Sequence, residues 1–134
     1  RSSLAELAAA AVTEGCIGET IAALLANEAR AGATDPKVRA ALSGIALDEA
    51  DHVAFAWQLV AWALRGGDPE VRAAIGRAFD AAAVPASGPV PDGADAAILR
   101  AHGRLSPADT HDVAVRAIGE VILPAFAALR ASVV

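Results

Sequence analysis

The chain has 134 residues and a formal net charge of −5, and 55% of its residues are hydrophobic while only 4% are aromatic. One domain of this length can bury a core without staples, and 37 alanines, good helix formers and poor strand formers, exclude a β-sandwich or barrel and point to an all-α fold. The acidic balance offers no basic patch for nucleic acid, and the single cysteine excludes an internal disulfide or a CxxC metal knuckle. The longest apolar run is expected to fall short of a membrane span, so the mean hydropathy of +0.44 is read as a buried helical core.

Taken in chain order, the first predicted helix opens with a capping box, Ser3 and Glu6, and ends at Gly32. Three later breaks share one grammar, a capping residue followed by proline: Asp35-Pro36, Asp68-Pro69 and Ser106-Pro107. The cap oxygen accepts a bond from a free backbone N–H, and proline has no N–H to leave orphaned at the first helical position. A second helix is expected from Pro36 to Arg65, stopping at Gly66-Gly67, and a third from Pro69 to Ala83. The Pro/Gly-rich stretch 84–93 reads as a loop. A short helix over Ala94–His102 and a last one over Pro107–Ala131 follow, with Pro124 expected to kink or loosen the final turns of the latter. The first two helices are long and closely joined, so they are expected to form an antiparallel hairpin over 1–66 that the shorter helices of 67–134 cover, within one domain. The chain begins at Arg1 and has no Met, which predicts a processed product or a piece of a longer one.

Helical wheels at 100° per residue place charges where a core is expected. On the first helix Leu4, Leu7, Ile17, Ile21, Leu24 and Leu25 share a face with Glu14 at its centre, while Glu19 points about 140° away from Glu14. On the second, Val38, Leu42, Ile45, Val53, Ala56 and Val60 share a face with Glu49 at its centre and His52 beside it, and Asp48 and Asp51 point outward. Glu14 falls about 18 residues before the middle of the predicted turn and Glu49 about 17 after it, so the two should face each other within roughly one turn. A carboxylate in an apolar stripe is costly unless paired or bound to a metal. Glu49-x-x-His52 is the i, i+3 unit of helical-bundle di-metal sites, and oxygen and imidazole ligands suit iron or manganese, with zinc possible. A hydrogen-bonded trio in an Ala-rich core would use the same residues.

The remaining candidates carry less. His111 shares the apolar face of the last helix with Val115, Ile118, Ile122 and Leu129, where it either reaches the site or sits satisfied in the core. Glu120 is expected to pair with Arg116 on the solvent side. Glu28 falls near a helix end, His102 at a helix C-terminus, and Cys16 off the main face, and Trp57 and Trp62 are expected to pack.

Two segments, Glu14-Gly-Cys-Ile-Gly-Glu-Thr20 and Ile45-Ala-Leu-Asp-Glu-Ala-Asp-His-Val-Ala-Phe-Ala-Trp57, resemble ferritin-like di-iron carboxylate proteins, in particular a bacterial group with a Glu-Gly-Cys-x-x-Glu-Thr helix followed by an Asp-Glu-x-x-His helix. The resemblance covers residues 8–65. It implies a ferritin-like helical bundle, iron as cofactor, Glu14, Glu49 and His52 as metal ligands with Glu49 bridging, and Glu19 in support. The activity it implies is ferroxidase or peroxidase-like oxidation, with oxygenation of an organic substrate as the alternative. A metal-free bundle used for binding or assembly is the reading from another class. A full site takes four carboxylates and two histidines from four helices, and this chain supplies one hairpin, since Glu120 opens Glu-Val-Ile-Leu rather than a second Glu-x-x-His. The other half is expected from a second copy across a two-fold axis or from a partner hairpin of the same precursor; failing both, a half site holds one metal weakly or none. With no tyrosine in the chain, tyrosyl-radical chemistry is excluded.

Overall fold

The computed structural model describes residues 2–84 and 93–133, which form five helices and, among the described residues, no strand. Helix α1 spans Leu4–Gly32, α2 Pro36–Arg65, α3 Pro69–Asp80 and α4 Gly93–Ala101. Helix α5 runs without interruption through Pro107–Arg116, Ala117–Ile122 and Leu123–Ser132. The boundaries follow the capping grammar. Ser3 and Glu6 form the reciprocal capping box. The carboxylates of Asp35 and Asp68 each accept from the backbone N–H two residues on, at 2.8 Å, and Ser106 Oγ accepts from Asp109 N at 3.1 Å. Helix α3 stops at Asp80, three residues short of the expected end, and the predicted loop falls largely on 85–92, outside the described residues.

Helices α1 and α2 form the expected antiparallel hairpin, closed by the short turn Ala33–Asp35. Arg39 pins the turn by donating to the carbonyls of Arg30 and Ala33 at 3.0 Å each. Mid-hairpin the two backbones approach closely: a Cβ built on Gly15 would overlap that of Ala56, which is the use these small residues have here. The shorter helices cover one side of the hairpin. Val12, Cys16, Ile17 and Ile21 of α1 and Val60 and Leu64 of α2 meet Val71, Ile75 and Phe79 of α3 and Ile122 and Phe126 of α5. Stacked rings run through this core, with Phe79 centred 5.5 Å from Trp57 and 4.1 Å from Phe126. Helix α4 is tied down by Arg100, which pairs with Glu28 of α1 at 3.0 Å and Asp109 of α5 at 2.9 Å. After it, Gly103 takes φ +83°, and a side chain there would strike Val38 and Leu42.

Several expectations about the core are overturned. Leu4, Leu7 and Ile45, read as core, are 48–56% exposed, and Trp62 is 57% exposed; the covering helices lie against the other side of the hairpin, so among the described residues nothing covers these stripes. Cys16, read as off the main face, is fully buried. Glu28, near its helix end, is half-exposed as expected there and also pairs with Arg100. Glu120 and Arg116 form no ion pair among the described residues, although they line one cavity. Ahead of Pro124 the wide turn Ala117–Ile122 loosens the helix: Leu123 N–H bonds back five residues to the Ile118 carbonyl. Helix α1, which packs against α2, α3 and α5, is also long and apolar enough by length and composition to cross a membrane, contrary to the sequence expectation.

Candidate metal centre

The local geometry of α1 decides which carboxylates meet. Residues Ala11–Glu19 are π-helical, with backbone bonding from i to i+5 rather than i+4. The segment carries two glycines, and at Gly18 a Cβ would press on the Thr13 carbonyl, five residues back, at 3.3 Å. Glycine thus admits the wider turn. In such a turn residues five apart come onto one face, and Glu14 and Glu19 are five apart. A wheel at 100° per residue sets them about 140° apart because it assumes an α-helix throughout.

The second correction concerns level. The turn is centred on Thr34, 15 residues after Glu19 and 15 before Glu49. It is therefore Glu19, not Glu14, that lies opposite Glu49 and His52. One ligand atom from each of Glu19, Glu49 and His52 lies within 4.8 Å of the others, and His52 Nδ1 is 3.9 Å from Glu19 Oε2. Glu14 is exposed and outside this trio. It stays on the same groove, a cavity of about 320 Å³ lined by Glu14, Glu19, His52, Ala11, Gly15, Phe55, Ala56 and Leu59. Helix α5 does not bring His111 to the site: the residue is exposed in the first turns of that helix, whose buried face holds Val113, Ala114 and Ala117 instead.

Among the described residues the trio lacks the partners that would make it a structural cluster. Glu49 Oε2 is buried and has no hydrogen-bond partner among the described residues. No Lys or Arg pairs with any of the three there, and neither 2–29 on α1 nor 40–64 on α2 contains a basic residue other than His52. A buried carboxylate oxygen without a donor costs about 1–3 kcal/mol, and a cation is the group that offsets it. Three ligand atoms each about 2.1 Å from one ion lie on average no more than about 3.6 Å apart. The trio thus needs to close by up to about an ångström, and the His52 and Glu19 side chains, 63% and 35% exposed, are free to do so. The donor set of two carboxylates and one imidazole suits iron, manganese or zinc.

The same signature without the partners occurs on α5. Ile118-Gly119-Glu120-Val121-Ile122 repeats the pattern Ile17-Gly18-Glu19-Thr20-Ile21 and is again π-helical. Glu120 borders a separate cavity of about 280 Å³ with Arg116, Glu28 and Asn27, and among the described residues no His-containing trio forms there. Cys16, beside the candidate centre in sequence, takes no part: burial pushes its thiol up to about 12, far from a thiolate ligand. No family model matches the chain, and no curated protein or solved structure matches it.

Proposed function

We propose that the α1–α2 hairpin is one half of a non-haem di-metal centre of the iron–carboxylate kind, with Glu19, Glu49 and His52 as ligands and Glu14 as a further carboxylate at the groove's edge. The observation that carries this reading is the convergence of the trio with one Glu49 oxygen buried and unpartnered. The resemblance of the Glu14–Thr20 and Ile45–Trp57 segments to ferritin-like di-iron proteins supports it. So does the π-helical turn, a feature frequent at functional sites. The function that follows is oxidation of the ferroxidase or peroxidase-like type.

Iron bound here would supply the electrons that reduce dioxygen or peroxide. The chain's own residues fix the ion and its surroundings. From α2, Glu49 would hold the ion through its unpartnered buried oxygen and His52 through a ring nitrogen. Glu19 is brought into reach by the π turn. Phe55, Ala56 and Leu59 supply an apolar wall on one side. With no Lys or Arg in 2–29 or 40–64, bound cations are the source of charge balance. That apolar groove also favours a second reading, in which the oxidised group belongs to a small apolar organic substrate lying against the wall.

Oxygen consumption on addition of Fe(II) tests the proposal. The chain is expected to oxidise Fe(II) faster than buffer, and Glu49→Gln and His52→Ala to fall to the buffer rate. Wild-type oxidation by the Glu49→Gln protein would exclude this centre. An increase in oxygen use on adding an apolar substrate would favour the second reading.

A further inference from the structure

The exposed face of α2 has a regular spacing. Ile45, Asp48, His52, Phe55, Leu59 and Trp62 alternate steps of three and four residues, the period of a helix seam that packs against another helix. The apolar members lie open: Ile45 is 50% exposed, Phe55 68%, Leu59 38% and Trp62 57%. On α1, Leu4 and Leu7, 48% and 56% exposed, lie in the same alternating step with Ala11 and Glu14. A regular apolar strip of this length marks an interaction surface, and the candidate ligands His52 and Glu14 stand within it.

Resting on the metal reading above, we infer that the strip is covered by a second copy of the same hairpin, docked about a two-fold axis near His52 and held by the metal ions. Three features specify this occupant. First, the seam is self-complementary: Ile45 lies seven residues before His52 and Leu59 seven after. Antiparallel pairing centred on His52 therefore sets Ile45 of one copy against Leu59 of the other, as an isologous interface requires. Second, the ligands double correctly. Glu19, Glu49 and His52 taken twice give four carboxylates and two imidazoles, the complement of a four-helix di-metal site. Third, the charge explains why metal is needed. Each copy brings Glu14, Glu19, Glu49 and Asp48 to the face with no Lys or Arg between 40 and 64 or between 2 and 29. Two such faces repel until cations lie between them.

Sedimentation equilibrium with Mn(II), an ion that stays divalent in air, is the test, with bound metal counted in the same samples. The metal-stripped chain is expected at 13.4 kDa, and with Mn(II) the mass is expected to double with one ion bound per chain. Ile45→Arg, an exposed substitution away from the ligands, is expected to keep the helical content of the parent, remain monomeric with Mn(II), and bind it at least ten-fold more weakly. Mn(II) binding without mass doubling would overturn the second copy as occupant and leave the metal reading standing. No Mn(II) binding would overturn the metal reading and the metal-held dimer with it. Doubling that is indifferent to Mn(II) would overturn the coupling between metal and association.

Discussion

The two sides of the α1–α2 hairpin both carry large apolar residues and differ in what covers them and in the charges set among them. On the closed side, Val12, Cys16 and Ile21 meet Ile75, Phe79, Ile122 and Phe126, all buried and all apolar. On the open side, equally apolar residues such as Leu7, Phe55 and Trp62 stand in solvent, interleaved with Glu14, Glu19 and His52. The closed side therefore supplies the stability of the chain by itself. The open side contributes little until a cation and a covering surface are present.

Paired truncations should separate the two sides most. Phe79→Ala removes the ring stacked on both Trp57 and Phe126 and should lower unfolding free energy by about 3–5 kcal/mol in urea. Phe55→Ala, on the open side, should stay within about 0.5 kcal/mol in metal-free protein. Equal losses would erase the distinction between the sides.

Titration of the closed side comes next. The buried Cys16 thiol is raised from 9.0 to about 12, so the unfolded chain ionises first as pH rises. Its contribution is fully present below pH 9 and is lost progressively between pH 9 and about 12. Over that window the loss amounts to at most about 4 kcal/mol. The chain has no tyrosine and one lysine, so few other side chains titrate there. Cys16→Ala should flatten the alkaline slope seen by denaturant melts; an unchanged slope would mean that the thiol is not held neutral.

A smaller effect of opposite sign is expected where the two sides meet. Glu49→Leu removes the unpartnered buried oxygen and should raise metal-free stability by about 1–2 kcal/mol. The rise in melting temperature that metal gives the parent should disappear in the same variant. A loss of stability in metal-free Glu49→Leu would show that the carboxylate serves the fold instead.

Most of the fold is legible in the sequence because its signals are local. Each Asp-Pro or Ser-Pro break is a cap and a missing donor in adjacent residues, and all three stand where the sequence puts them. The Glu49-x-x-His52 unit is legible for the same reason, since α2 is a regular α-helix. Glu19 is misplaced by a helical wheel because its direction depends on backbone bonding that changes from i+4 to i+5 between Ala11 and Glu19. The paired glycines and the Ile-Gly-Glu pattern, repeated at the second π turn, are the signal that could have found it. Which apolar stripe is covered is not legible either, because Leu7 and Ile21 look alike on a wheel, and only the docking of α3 and α5 separates them.

Those two π turns also frame the decisive experiment. Glu19 and Glu120 share a local pattern and a local backbone, but among the described residues only Glu19 meets a carboxylate and an imidazole from a second helix. Equilibrium binding of Mn(II), followed by its electron paramagnetic resonance signal, should be compared in wild type, Glu19→Ala, Glu49→Ala and Glu120→Ala. Binding is expected to weaken about ten-fold or more in Glu19→Ala and Glu49→Ala and to be unchanged in Glu120→Ala. Full-strength binding in Glu19→Ala, or none in wild type, would contradict the proposed centre.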